Sequence, residues 1–171
     1  IDFKGYRADC ITDFALEYID NHKDDKPFFM FLSHIEPHHQ NDRRCYEGYS
    51  ETVDDYKNYP IPEDLKFLKG DYEKSYPDYL SAINRLDYNL GRLVSKLKEK
   101  KLYEDTIIIF TSDHGCHFKT RNAEYKRSCH DSSIHIPLVI SGGNFKGGKH
   151  DSRLVSLIDL SATILDAADV A

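Results

Sequence analysis

The chain has 171 residues and a formal net charge of −6, and 30% of its residues are charged against 40% that are hydrophobic. That length suits one domain with its own core. The negative net charge argues against nonspecific binding of nucleic acid, and no apolar run is long enough to span a bilayer. The four cysteines, at irregular spacing, predict neither a disulfide framework nor a paired-cysteine zinc site.

The first half of the chain predicts one helix, one buried strand and a long polar excursion. Apolar residues recur at helical spacing over about 8–22, namely Ile11, Phe14, Ala15, Tyr18 and Ile19. Residues 27–33 form a short apolar run that is typical of a buried strand. Residues from about 34 to 74 are polar and rich in tyrosine, so they predict a long loop of the kind that often carries function.

The second half predicts the longest helix, two strands and a final helix. Leucines and an isoleucine repeat at three- and four-residue steps over about 76–101. Strands are predicted at 106–111 and 137–141, and Asp159 can cap a last helix. This is an α/β order. We therefore expect residues 1–171 to form a single α/β segment, with the three strands in one mostly parallel sheet flanked by helices.

The segment 106–115 carries the strongest functional signal. Four large apolar residues, 107–110, predict a buried strand, which ends at Ser112-Asp113-His114-Gly115. Ligand sites of open α/β sheets lie at the carboxyl ends of strands, and Asp and His are ligand types for divalent cations. The motif therefore indicates a metal site, with a pair of polar residues that merely caps the strand end as the alternative.

Two further segments carry residues suited to an anion. Lys126 is a point cation eleven residues beyond Gly115 and is followed by a polar turn and the strand at 137–141. His38 follows the apolar run at 27–33, in the sequence Glu36-Pro37-His38. Its imidazole can donate to an anion or transfer a proton. A solvated lysine and a surface histidine are the alternative interpretations.

Taken in order, these motifs resemble the sulfatase family of the alkaline phosphatase superfamily. The resemblance rests on Asp113-His114, on Lys126 with the strand after it, on the 27–33 run leading to Pro37-His38, and on the segment 157–166. It implies an alkaline-phosphatase-like sandwich fold, of which this chain forms a part. It also implies that Asp113 and His114 bind a divalent metal, and that His38 and Lys126 bind the sulfate group and act in catalysis.

The metal that the resemblance implies is Ca²⁺, although a histidine ligand by itself suits zinc or manganese better. Two positions depart from the family pattern. His135 stands where the family has an arginine before the strand, and Arg121 lies in a segment that replaces a Gly-Asp-His sequence. We include Arg121 and His135 as candidate substrate-binding residues, with a solvent-facing charge as the alternative for Arg121.

The family's nucleophile, a Cys or Ser that is oxidised to formylglycine, has no match in this chain. None of the cysteines, Cys10, Cys45, Cys116 and Cys129, begins the required motif, and neither does a serine. The family's early pair of aspartate ligands is also absent. We therefore expect this sequence to be the later half of a sulfatase catalytic domain, inactive alone and completed by the N-terminal half of the same protein.

The expected function is hydrolysis of sulfate esters, of a sulfated carbohydrate or an aryl sulfate. Because sulfuryl and phosphoryl sites share these ligands, a phosphodiesterase or phosphonate hydrolase of the same superfamily is one alternative. A non-catalytic relative that binds anionic glycans is another. No nucleic acid partner and no membrane span are expected, and the family resemblance implies a periplasmic or secreted location.

Overall fold

The computed structural model describes residues 4–23, 26–145 and 147–170. The elements in chain order are α1 (Arg7–Asn21), a 3-10 turn (Val53–Tyr56), α2 (Glu63–Lys66), α3 (Tyr72–Glu99), β1 (Ile108–Thr111), α4 (Asp131–Ile134), β2 (Leu138–Ser141) and α5 (Leu157–Ala167). Every helix and strand predicted from hydrophobic periodicity is present, except a strand at 27–33.

The two long helices, α1 and α3, pack against each other through a polar seam. Arg85 of α3 donates two hydrogen bonds, each 2.7 Å long, to the carboxylate of Asp9 in α1. Asn89 donates a third to the same carboxylate at 2.8 Å. The Arg85 guanidinium carbon lies 4.0 Å from the ring centroid of Tyr49 and 4.3 Å from that of Tyr88. This seam fixes the position of α1 on α3.

Helix α3 begins about one turn before the predicted start because its first turn contributes to the main hydrophobic core. Tyr72 and Tyr76 are buried there with three residues from outside α3, Tyr46, Leu65 and Phe118. This cluster joins α3 to the long loop and to the segment after β1. The core therefore lies beside the carboxyl end of β1, where Asp113 and His114 follow the strand.

The prediction of a mostly parallel sheet is wrong for the pair of strands that the described residues form. Strands β1 and β2 pair antiparallel, with Ile108 opposite Ser141 and Thr111 opposite Leu138. A parallel pair needs a long crossover connection, usually a helix, and the segment between these strands contains only the single helical turn α4. Apolar runs predict burial, but they carry no information on strand direction.

Residues 27–33 are extended but do not form a strand. Their side chains alternate, with Phe29 70% and Phe31 80% exposed while Phe28 and Met30 are half-buried. This period of two is that of an extended chain with one face on the body of the protein. No ladder pairing of this segment is present among the described residues.

The last helix, α5, starts at Leu157, so Asp159, which the sequence predicts as its cap, lies inside its first turn. Ser156 precedes it, and Asp159 accepts a hydrogen bond from the Ser156 backbone N–H at 2.7 Å, so Asp159 closes a capping box from within the first turn. No side chain of α5 is buried. None of the helices in the described ranges has the length and apolar character needed to cross a membrane.

Candidate active site

Side chains from three distant segments meet at one place. His38 comes from the loop after residues 27–33, His114 follows β1, and Lys126 lies farther along the same connection. The Nζ of Lys126 is 3.3 Å from the Nε2 of His38, and the rings of His38 and His114 are 6.2 Å apart between centroids. Residues separated by 88 positions in the sequence thus form one cluster, which we call the His38 cluster.

His38 is half-buried in a tight turn. Its backbone N–H donates to the carbonyl of Ile35 at 2.8 Å, and the Glu36–Pro37 peptide bond is cis. Burial, and then the positive charge of Lys126, lower the pKa of His38. At neutral pH, His38 in the free protein is therefore a neutral imidazole beside the Lys126 ammonium.

Tyr125 completes the cluster, and the sequence analysis did not identify it. Its hydroxyl lies 2.8 Å from the same Nε2 of His38, and the residue is 7% exposed. Its ring lies 5.1 Å from that of His39, which is also buried. The only available signal was its position next to Lys126, and twelve tyrosines in the chain made that signal weak.

The pair Asp113-His114 has the properties of a partial cation site. The Nδ1 of His114 is 2.7 Å from the carbonyl oxygen of Gly115. Because a carbonyl oxygen only accepts, Nδ1 carries the proton, and Nε2 is an acceptor in the neutral ring. This Nε2 is buried and has no hydrogen-bond partner among the residues that the structure describes, and a carboxylate oxygen of Asp113 lies 3.7 Å from it. Two acceptors this close are favourable when a cation lies between them.

The pair does not make a complete metal site. Within the described ranges, no group of three or more His, Cys, Asp or Glu side chains is placed to hold a metal ion. The side chain of Asp113 is 84% exposed, so it is accessible to further ligands. Asp113 and His114 fit a divalent cation as two of its ligands, and the remaining ligands have to come from other groups.

Gly115 fixes the Asp113-His114 pair against the turn before β2. Its N–H donates to the carbonyl of Ser133 at 2.8 Å. A Cβ atom at position 115 would lie 2.3 Å from the carbonyl oxygen of Ser132, closer than nonbonded atoms approach. Glycine is therefore required by the close approach of two backbones, which holds Asp113 and His114 beside the rest of the cluster.

The structure gives Arg121 and His135 partners outside the His38 cluster. Arg121 is exposed and donates to the backbone carbonyl of Asp64 at 3.3 Å. The side chain of His135 is 80% exposed, and its Nδ1 lies 3.5 Å from a carboxylate oxygen of Asp131. Substrate binding by these two residues stays a prediction.

Comparison with known proteins identifies the family. The family model named Sulfatase matches residues 2–170. The chain is 34% identical over 116 residues to arylsulfatase K of Canis lupus familiaris, which covers 68% of this chain and 22% of that protein. It is 28% identical over 175 residues to the uncharacterized sulfatase YdeN of Escherichia coli (strain K12), with 98% and 28% covered. The chain thus spans well under half the length of these relatives.

Solved structures share the fold. The crystal structure of yidJ from Bacteroides fragilis has a TM-score of 0.82 at 25% identity, over 96% of this chain and 37% of that one. BT4656 has a TM-score of 0.81 at 23% identity, over 100% and 50%. The phosphonate monoester hydrolase SpPMH from Silicibacter pomeroyi has a TM-score of 0.64 at 24% identity, over 96% and 39%. Because the family model covers residues 2–170 and the fold agrees with it, the chain belongs to the sulfatase family.

Proposed function

We propose that this chain is the later part of a sulfatase catalytic domain and carries half of its active site. The intact enzyme hydrolyses sulfate esters, and the formylglycine nucleophile is supplied by a part of the protein outside this sequence. The observation that supports the proposal is the His38 cluster, in which a lysine and a histidine lie together beside a carboxylate–imidazole pair. A cation site next to two donors suits a sulfate ester, which carries negative charge.

Lys126 and His38 bind the sulfate group. As the nucleophile attacks sulfur, the bond to the leaving oxygen breaks, and that oxygen gains negative charge and takes up a proton. Fixed donors aimed at this charge lower the barrier. Lys126 offers an ammonium group to a sulfate oxygen and to the leaving oxygen, and His38 donates to the sulfate or protonates the leaving oxygen.

Asp113 and His114 hold a divalent cation, which we propose to be Ca²⁺. When bound, the cation supplies positive charge to the oxygens of the sulfate group. The Asp113 carboxylate is exposed, and the Nε2 of His114 lies 3.7 Å from one of its oxygens. Calcium prefers several oxygen ligands, so its affinity depends on the ligands that the other part of the protein contributes. Arg121 and His135 are proposed to contact outer parts of the substrate.

The proposed substrate class is a sulfated carbohydrate, and the proposed location is periplasmic or extracellular, where such polymers occur. The structural relative BT4656 was solved in complex with its substrate, D-glucosamine-2-N,6-O-disulfate. The relative SpPMH is a phosphonate monoester hydrolase, and this is the specific observation in favour of a second candidate, phosphonate hydrolysis by the same site.

A substrate panel tests the proposal. The full-length protein that contains this chain is assayed with an aryl sulfate, an aryl phosphonate and an aryl phosphate, and the 171-residue chain is assayed in parallel. We expect the full-length protein to prefer the sulfate and the chain alone to turn over none of the three. Preference for the phosphonate would favour the second candidate. Turnover by the isolated chain above that of its Asp113→Ala variant would contradict the proposed division of the site.

A further inference from the structure

The Nε2 atom of His38 has two neighbours that compete for it. Tyr125 Oη is 2.8 Å away and Lys126 Nζ is 3.3 Å away. An ammonium group only donates, so the contact with Lys126 is favourable only if Nε2 accepts. The neutral His38 ring then carries its proton on Nδ1, and the Tyr125 hydroxyl donates to Nε2.

The two distances indicate which donor prevails. An imidazole nitrogen has one lone pair in the ring plane, and a donor at 2.8 Å uses it better than a donor at 3.3 Å. Tyr125 therefore satisfies His38, and the ammonium of Lys126 is held only weakly. A weakly held ammonium can turn to an incoming anion without leaving a buried acceptor unpaired, because Tyr125 remains in place.

The hydroxyl of Tyr125 is in a fixed position. The residue is 7% exposed, and its ring packs against those of His39 and Tyr46, at 5.1 Å and 6.4 Å between centroids. Its backbone carbonyl accepts a hydrogen bond from the N–H of His117 at 2.8 Å. The ring and the backbone of Tyr125 are thus both held in place, so its hydroxyl donates to His38 from a fixed position.

We propose that Tyr125 is a positioning residue for His38 and Lys126, the two residues proposed to bind the anion. Its hydroxyl occupies Nε2 of His38 and so keeps the Lys126 ammonium available for the anion. The inference rests on the proposed function in taking that anion to be the sulfate group of the substrate. Without the hydroxyl, Lys126 is the one of these two donors that remains, so His38 holds its ammonium and Lys126 binds the anion less well.

Nitrogen NMR of the histidine-labelled 171-residue chain tests the hydrogen bond without any activity. In the unsubstituted chain at neutral pH we expect His38 to show an unprotonated Nε2 and a protonated Nδ1. In Tyr125→Phe the Nε2 signal should shift because its 2.8 Å donor is lost, while Nδ1 should stay protonated because Lys126 still donates to Nε2. The matched control is Tyr76→Phe, which removes the hydroxyl of a buried tyrosine of the hydrophobic core and should leave His38 unchanged. A protonated Nε2 in the unsubstituted chain, or an unchanged His38 in Tyr125→Phe, overturns the proposal.

Kinetics of the full-length protein test the positioning role. Loss of one hydrogen bond predicts that Tyr125→Phe lowers kcat/KM for an aryl sulfate by about three- to tenfold, mainly through a higher KM, while Tyr76→Phe matches the unsubstituted enzyme. An unchanged KM in Tyr125→Phe contradicts the role. If the full-length protein hydrolyses no sulfate ester, the proposed function fails, whereas the NMR result still decides whether Tyr125 donates to Nε2 of His38.

Discussion

The ion pair between Asp9 and Arg85 should contribute a large part of the free energy that holds α1 on α3. The side chain of Asp9 is 20% exposed and that of Arg85 is 19% exposed, and Asp9 accepts three hydrogen bonds from Arg85 and Asn89. Asp9→Asn removes the negative charge and leaves the guanidinium largely buried without a counter-charge. Removing one member of a mostly buried, doubly hydrogen-bonded pair costs about 3 kcal/mol.

Urea denaturation of the chain and its variants measures this effect. The matched control is Asp54→Asn, because Asp54 also pairs with a cation, Lys57, but its side chain is 80% exposed. The control should change the free energy of unfolding by less than about 0.5 kcal/mol. If Asp9→Asn is no more destabilising than Asp54→Asn, the seam does not hold α1 on α3 and the reasoning is refuted.

The same ion pair predicts that the stability of the fold depends on pH. Burial raises the pKa of Asp9, but the hydrogen bonds from Arg85 and Asn89 and the arginine charges outweigh it, so the pKa lies below its usual 3.8. A carboxyl group with a lowered pKa in the folded state stabilises the fold above its unfolded pKa, and this contribution is lost as the pH falls through the folded value. Asp9→Asn should therefore lose less stability on acidification than the unsubstituted chain does.

Three further predictions concern the segment around Asp113 and His114. His117 is fully buried, and neither of its ring nitrogens has a hydrogen-bond partner within the described ranges. Burial lowers the pKa of His117 below the usual 6.5, so urea denaturation should show stability falling as the pH drops below about 6.5, and less steeply in His117→Phe. Gly115→Ala should destabilise the chain by about 1–3 kcal/mol in the same assay, because its Cβ would meet the Ser132 backbone, whereas Gly91→Ala on α3, with open space around it, should be neutral or stabilising. Asp113→Ala should weaken Ca²⁺ binding to the full-length protein in calorimetry, and equal affinity would exclude Asp113 as a ligand.

The helices could be predicted from the sequence because each depends on a local pattern. The apolar spacing from Ile11 to Ile19 and from Ile83 to Leu97 requires only that one face of a helix be covered. The sheet could not be predicted in the same way. The runs that become β1 and β2 look identical whether they pair parallel or antiparallel, and the direction is set by how the connection between them folds back.

The candidate site was partly predictable for a different reason. Asp113, His114, Lys126 and His38 stand in motifs that the family resemblance identifies, and the structure places His38, His114 and Lys126 together. Tyr125 has no such motif. Its importance arises from a contact across 87 residues of sequence, and no local pattern encodes a contact of that kind.

The rate of sulfate ester hydrolysis by full-length Lys126→Ala tests the central claim most directly. Removing one donor to the developing negative charge should lower kcat for an aryl sulfate by about 10²–10³-fold. The matched control, Lys57→Ala, removes a lysine whose side chain is 61% exposed and which pairs with Asp54, and it should keep the full rate. A Lys126→Ala enzyme as active as Lys57→Ala would contradict the assignment of the His38 cluster as the sulfate-binding site.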